Sequence, residues 1–475
     1  MSFLLLLIIL FAPPIDPDLG WHLKMGEIIY NTRSVPIYNL FSYTMPAYTW
    51  ADSYWLTQVV MYTVYKFGGI ILLTSVFSII SAFSLLLARE KKFPVSLKEL
   101  GILLIFSLLI KPTHMGVRPL VFSSFLLVIV WNILKDFLYN KSVKGLIFIP
   151  FVFLIWANIH ADFVAGLLLV AGILFVETFL FILKKNSQPG RNIILLLCSF
   201  VLSALATFIN PYKDFLWKTL LKETQPLQFK HIAEWTSLSN KDAYLYLYLL
   251  IFSFTFIILW YKKKELSLGE LLAIAVAGIA TIRFTYAIRP FALLSLGLWF
   301  RYFNTQTFLG KTITLPPNNS LFIKGMFRLY GGMFIIYILY TFAFTLYACS
   351  NQNKIFLVGG YPLRAVAFLK ENSYQGNMFN YYGWGGFLIW KYPEAQTFVD
   401  GRMPSWNKRG QNAFADYIDI TTVKINAGEL IRKYKIDFFL IRKDSLLSKT
   451  LEQNNFWEKV YSDNISVIYK RTAEW

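Results

Sequence analysis

Long apolar runs separated by short charged clusters recur from Phe3 to about Cys349, and the alternation then stops. Each run approaches the length that crosses hydrocarbon as a helix, about 20 residues. Boundaries drawn at the charged clusters predict eleven membrane helices, at roughly 2–14, 69–88, 98–111, 119–138, 145–157, 164–183, 192–209, 244–261, 268–282, 290–306 and 329–349. The run Phe3–Ala12 is short for a span, but it has neither a basic n-region nor a small-residue cleavage site, so it is read as a first helix rather than as a signal peptide. After residue 349 the pattern changes to short β-like runs, TFVDG (397–401), DFFLI (437–441) and SVIYK (466–470), with helical stretches at Pro362–Glu371 and Asn412–Ile418. The expected architecture is a polytopic α-helical membrane domain, residues 1–349, carrying two long loops at 15–67 and 210–243. A small soluble α/β domain, residues 350–475, follows it.

Composition agrees with this reading. The chain of 475 residues is 56% hydrophobic and 18% aromatic, and its 15% of charged residues falls well below the quarter or so usual in soluble domains. The net charge of +19 would suggest nucleic acid only if the basic residues lined one soluble surface. They do not: with alternate loops taken as cytoplasmic, seventeen basic residues against five acidic ones leave +12 of the +19 on that side. The positive-inside rule predicts this for short loops, so the charge reports topology. The N-terminus is then cytoplasmic, the C-terminal domain lies outside, and the expected location is the cytoplasmic (inner) membrane. Cys198 and Cys349 are too few and too separated for a disulfide framework.

The two long outer loops exceed what a connector needs. Tyr54–Phe67, apolar and aromatic over most of its helical surface, reads as a helix lying in the interface, and Tyr212–Lys222 as an interfacial anchor. All four histidines, His22, His114, His160 and His231, fall on this outer side, as do Asp16, Asp18, Asp52, Asp162, Arg118, Arg283 and Arg289. Any one of them alone reads as a loop residue in water. As a set they suggest a polar cavity opening outward, because ionisable groups at membrane depth are costly and tend to line cavities. Asp16 and Asp18 follow the first span directly and sit beside Trp21 and His22, a placement that suits a general base or a metal ligand.

Asp16 to Gly26 continues into VPIYNLFSYT and then TWADSYWLTQVVMYTVYKFGG, and this resembles the first outer loop of the GT-C superfamily of polyprenyl-phosphate-sugar glycosyltransferases. The resemblance extends to Val117-Arg-Pro119, Trp156-Ala-Asn-Ile-His160, Asn210-Pro-Tyr212, Glu234-Trp235, Arg283 and the stretch Tyr381–Arg402, and covers nearly the whole chain. It implies that an aspartate of the first outer loop is the catalytic base. The spacing places that base best at Asp18, with His22 one turn on and Asp16 second; Pro17 and Leu19 stand where many relatives have an acidic pair.

The chemistry implied is a single inverting displacement. A polyprenyl phosphate leaves from the anomeric carbon as an acceptor hydroxyl attacks. Departure of a phosphate needs charge stabilisation more than a general acid, and guanidinium forks match phosphate oxygens. Arg283, Arg289 and Arg118 are the candidates for the donor phosphate, with Lys213 weaker, although each alone could be snorkelling toward lipid phosphates. His160, Asp162, Glu234, Trp235 and Asp52 are candidates for the acceptor site or cavity. No cofactor is assigned. A divalent cation, Mg²⁺ or Mn²⁺, stays open, with Asp16 and Asp18 as the carboxylates to hold it. The expected partners are a polyprenyl-phosphate sugar donor, membrane lipids, and a lipid, glycan or protein acceptor, and no nucleic acid. The competing class is a polytopic transporter or lipid-linked-sugar flippase, against which stand the one-sided charges and the lack of an internal repeat.

Overall fold

The computed structural model describes residues 2–46, 48–89, 97–114, 116–185, 188–222, 228–239, 244–303, 320–408 and 410–472. Helices occupy all eleven predicted spans: Ser2–Leu10, Trp55–Ala88, Leu97–His114, Leu120–Asn140, Ile149–Ile159, Phe163–Ile182, Gly190–Ala206, Leu245–Lys262, Leu268–Arg283, Ile288–Phe303 and Ser320–Cys349. Of these, Trp55–Ala88, Leu120–Asn140, Phe163–Ile182 and Leu245–Lys262 are long and apolar enough to cross a membrane by length and composition. Their ends carry ordinary stop and start chemistry. Leu120–Asn140 ends on Lys141 in the left-handed region (φ 53°), and Ser267 accepts a hydrogen bond from the Glu270 backbone N–H at 3.1 Å, half of a capping box.

Trp55–Ala88 is two helices that meet at a break at Gly68 and Gly69, so the helix expected at Tyr54–Phe67 is distinct from the span predicted at 69–88. Gly69 sits at φ 61°, ψ −157°, a region open essentially to glycine alone, so the break is fixed by residue type. One element differs from expectation: the helix Leu19–Thr32 in the loop 15–67, which buries Leu19, Trp21, His22, Leu23, Met25 and Ile29.

The chain divides into two compact units, Met1–Ala12 with Thr74–Asn210 and Ile232–Leu346, and Pro13–Leu73 with Pro211–His231 and Tyr347–Trp475. The first is all-helical around fully buried Phe106, Trp131, Phe137, Phe153, Trp156, Phe163, Phe291 and Phe300. Its buried charges include two pairs, Arg89 with Glu99 at 3.4 Å and Arg301 with the buried Glu270, which also accepts from Tyr139.

The second unit is built on a four-stranded sheet, β1 (Asn377–Asn380), β2 (Ile436–Arg442), β3 (Trp457–Ser462) and β4 (Ser466–Arg471), in the order β1-β2-β4-β3. β1 runs parallel to β2 and the other pairs are antiparallel. DFFLI and SVIYK form β2 and β4 because each is an apolar run buried in the sheet centre. TFVDG does not form a strand. Only Thr397 pairs, as an isolated bridge with Ser42, and the rest is a loop held by side chains. There the carbonyl of Phe398 accepts from Ser42 Oγ (3.1 Å) and Thr44 Oγ1 (2.8 Å), and Thr397 N–H donates to the Phe41 carbonyl (2.9 Å). Residues 41–44 are thus laced to Thr397 and Phe398 within this unit.

Candidate functional site

The Asp16–Asp18 segment is shaped by its own hydrogen bonds. Asp18 stands at the N-cap of Leu19–Thr32, its backbone N–H donates to Asp16 Oδ1 at 2.8 Å, and its Oδ1 accepts from Trp21 Nε1 at 2.9 Å. A hydrogen bond to a carboxylate favours its ionised form, the form a base requires. Both aspartates are half-buried, whereas the His22 ring is buried, 3.7 Å from the Trp21 ring and 5.4 Å from Tyr54.

Behind His22 lies a polar relay. Gln58 Nε2 donates to Asp52 Oδ2 at 2.9 Å and stands 3.2 Å from His22 Nδ1; Asp52 Oδ1 accepts from the Tyr54 backbone N–H at 3.0 Å. An ionised carboxylate only accepts, so the carboxamide must turn its NH₂ toward Asp52, and His22 Nδ1 then accepts the second N–H. With Nδ1 as acceptor, the tautomer this geometry suits is the one with the ring proton on Nε2. Burial pushes the Asp52 carboxyl up to about 6, against the Tyr54 and Gln58 hydrogen bonds and the Arg402 charge, which lower it.

Arg402 forms a bidentate ion pair with Asp400, both bonds 2.7 Å and both side chains fully buried, and donates to Asn39 Oδ1 at 3.1 Å. Its guanidinium lies over Phe41, Trp50 and Trp406, with Tyr48 stacked on Trp406.

In the other unit the short turn after Ile149–Ile159 gathers a second constellation. Asp162 N–H donates to His160 Nδ1 at 3.1 Å, and the Asp162 carboxylate accepts from Tyr286 and from Arg289, whose fork also donates to the Leu120 carbonyl at 2.9 Å. Burial lowers the His160 imidazole to about 4, helped by the Arg289 and Arg118 charges, so it is neutral near pH 7. Burial alone would raise the Asp162 carboxyl, but the charges of His160 and Arg289 and the hydrogen bonds from Arg289 and Tyr286 reverse this and hold it at about 2. Trp235 stacks on Tyr286 (5.6 Å, 5°), and Glu234 pairs with Arg118.

The sequence candidates thus fall into two groups, Asp16, Asp18, His22 and Asp52 in one unit and His160, Asp162, Arg289, Glu234, Trp235 and Arg118 in the other. Arg289 is committed to Asp162, whereas Arg283 is exposed at the end of its helix, over the Phe284 ring. Lys213 is exposed at φ 53°, beside the buried Tyr212, and His231 is exposed with its ring 6.3 Å from Phe414. The side chain of His114 lies outside the described residues, as do those of Lys91, Lys92, Lys98, Lys311, Lys324 and Arg328.

Among the described residues no three His, Cys, Asp or Glu side chains converge as a metal set. A Mg²⁺ held mainly by substrate phosphate and water needs only one or two carboxylates, and Asp16 and Asp18 are the candidates for them. Gln58, Tyr286 and Arg402 were not singled out from the sequence, and Trp21 was named only as a neighbour of Asp16 and Asp18. Of the first three, Tyr286 carries a local sign, one helical turn before Arg289.

No family model matches the sequence, and no curated protein matches it. Among solved structures the chain is similar to the archaeal oligosaccharyltransferase AglB from Archaeoglobus fulgidus in complex with an inhibitory peptide and a dolichol-phosphate. The identity is 11%, 99% of this chain and 74% of that one are covered, and the TM-score is 0.51. The apo form of the Archaeoglobus fulgidus oligosaccharyltransferase is similar at 10% identity, with the same coverage and a TM-score of 0.52. ArnT from Cupriavidus metallidurans bound to undecaprenyl phosphate is similar at 11% identity over 99% of this chain and 97% of that one, with a TM-score of 0.51. Likeness at such identity is likeness of fold, and the fold is that of polytopic GT-C membrane proteins with a small C-terminal sheet.

Proposed function

We propose, with the GT-C fold as premise, that this chain moves a sugar from a polyprenyl-phosphate-linked donor to a hydroxyl of a lipid, glycan or protein acceptor at the outer face of the inner membrane. The observation that carries the reading is the Asp18 carboxylate at the head of Leu19–Thr32, half-buried and oriented by Trp21 Nε1 at 2.9 Å. Solved proteins of this fold hold dolichol-phosphate and undecaprenyl phosphate, which supports a lipid-phosphate donor.

In this reading Asp18 takes the proton of the acceptor hydroxyl as its oxygen bonds to the anomeric carbon. The bond from that carbon to the phosphate oxygen breaks in the same step, the configuration inverts, and the polyprenyl phosphate leaves with the electron pair. Trp21 fixes the carboxylate in line, a contribution of position. His22, held by Gln58, presents its Nε2–H as a fixed donor. For the negative charge gathering on the leaving phosphate the proposed partners are Arg283 and Arg118. A divalent cation held by Asp16 with Asp18 would offset the same charge.

The test is transfer of labelled sugar from a panel of polyprenyl-phosphate donors by protein purified in lipid, comparing wild type with Asp18→Asn and Asp16→Asn. Asp18→Asn is expected to lose turnover, by about 10²–10⁴-fold for a positioned base, while donor binding persists. Wild-type rates in both variants would remove the base assignment, and transfer from no donor would favour a transporter.

A further inference from the structure

We infer that the loop Val399–Arg402 is a positioning element for the Asp18 carboxylate, with Gly401 as the surface against which that carboxylate is set. The inference rests on the reading of Asp18 as base and deepens it. A Cβ built on Gly401 would overlap Asp18 Oδ1 and stand 2.8 Å from Asp18 Cγ, so the carboxylate is packed directly on the glycine backbone. Trp21 Nε1 holds the same oxygen, which leaves it bounded by a donor and by a backbone face.

The glycine is held in turn. Its two neighbours, Asp400 and Arg402, close a fully buried bidentate ion pair across it, the Arg402 backbone N–H donates to Asp400 Oδ1 at 3.1 Å, and Arg402 reaches Asn39. On the other side a Cβ on Gly385 would stand 2.6 Å from Asp400 Cα, so the loop backbone is pressed on a second glycine. Gly386 lies against the Pro17 carbonyl and Gly20 against the Gly386 carbonyl, which seats the Asp16–Gly20 turn on the same segment.

Two charges buried to this degree are a poor way to gain stability, because apolar residues of similar volume usually do as well or better. What a hydrogen-bonded bidentate pair adds is one geometry for the three residues it spans. Both side chains of the pair are fully buried, so the route proposed for its effect on Asp18 runs through where Gly401 stands. A carboxylate displaced by about 1 Å forfeits on the order of 10²-fold in rate, and even one methyl group at residue 401 forces such a shift.

The experiment is a cycle of Gly401→Ala and Asp18→Ala, singly and together, read by transfer kinetics and by thermal midpoint in detergent. Gly401→Ala is expected to lower kcat by on the order of 10²-fold with donor KM within about twofold. Its midpoint should fall in the Asp18 background and recover in Asp18→Ala, where the overlap is gone. If Gly401→Ala does not fold alone, recovery of folding in the double variant carries the same meaning. Wild-type kcat in Gly401→Ala, or an equal midpoint loss in both backgrounds, would overturn the proposal. If the melts couple while wild type transfers no sugar, the glycosyl-transfer reading falls and the setting of Asp18 by Gly401 stands.

Discussion

Asp52→Asn removes a buried charge without changing shape, and its effect on stability is set by pH. Burial raises the Asp52 carboxyl from 3.8 to about 6, and each unit of difference between folded and unfolded protein corresponds to about 1.4 kcal/mol. The folded chain holds the proton more tightly, so between about pH 4 and 6 it binds more protons than the unfolded chain, and stability falls as pH rises through that window. The loss, complete above pH 6, is roughly 3 kcal/mol. An asparagine pays no such penalty and still accepts the Tyr54 N–H through Oδ1. Its NH₂ needs an acceptor where Gln58 Nε2 now stands, and Gln58 Oε1 has no hydrogen-bond partner, so a flip of the Gln58 carboxamide meets the demand. That flip turns an acceptor toward His22 Nδ1, and the imidazole proton should move from Nε2 to Nδ1.

Thermal midpoints of wild type and Asp52→Asn, measured in detergent from pH 4.5 to 8, should therefore nearly coincide at the acid end and separate in favour of the variant toward pH 8. Nitrogen chemical shifts of labelled histidine should report the tautomer switch. A variant that is less stable than wild type at pH 8, or offset equally at every pH, would refute the reasoning.

Other outcomes follow from the second constellation. His160 is held down at about 4 from an ordinary 6.5, so it costs stability as pH falls from about 6.5 to 4, opposite in sign to Asp52; His160→Gln should flatten the acid side of the melting profile. Arg289→Ala should destabilise by about 3–5 kcal/mol, because it strands the buried Asp162 carboxylate, with a loss of folded protein on size exclusion as the readout. Arg283→Ala should instead leave the melting midpoint unchanged and raise donor KM in the transfer assay; an unchanged KM would remove Arg283 from the phosphate role.

The membrane helices were legible because a run of Leu, Ile, Phe and Val of spanning length states its own structure, and every predicted span is a helix. DFFLI and SVIYK were legible for the same reason. TFVDG misled because Val and Phe there are buried by side-chain hydrogen bonds to a distant loop rather than by strand pairing. Leu19–Thr32 was hidden by Gly20 and Gly26, which lower helix propensity and whose packing against the Gly386 and Gln58 carbonyls only the fold reveals. The relay from Asp52 through Gln58 to His22 mixes one local step with one that needs the helix Trp55–Ala88 in place. Nothing in the periodicity pairs Gly401 with Asp18 or ranks Arg289, tied to Asp162, apart from the exposed Arg283.

The unit that carries Asp18 is assembled from three separated stretches of chain, Pro13–Leu73, Pro211–His231 and Tyr347–Trp475. During synthesis the first stretch must wait on the order of tens of seconds for the last, at roughly 5–20 residues per second. Until then Ser42, Thr44 and Asn39 lack the carbonyls and the guanidinium that later satisfy them. A nascent chain released before residue 401 would carry an Asp18 carboxylate held by Trp21 alone, without the Gly401 backbone on its other side.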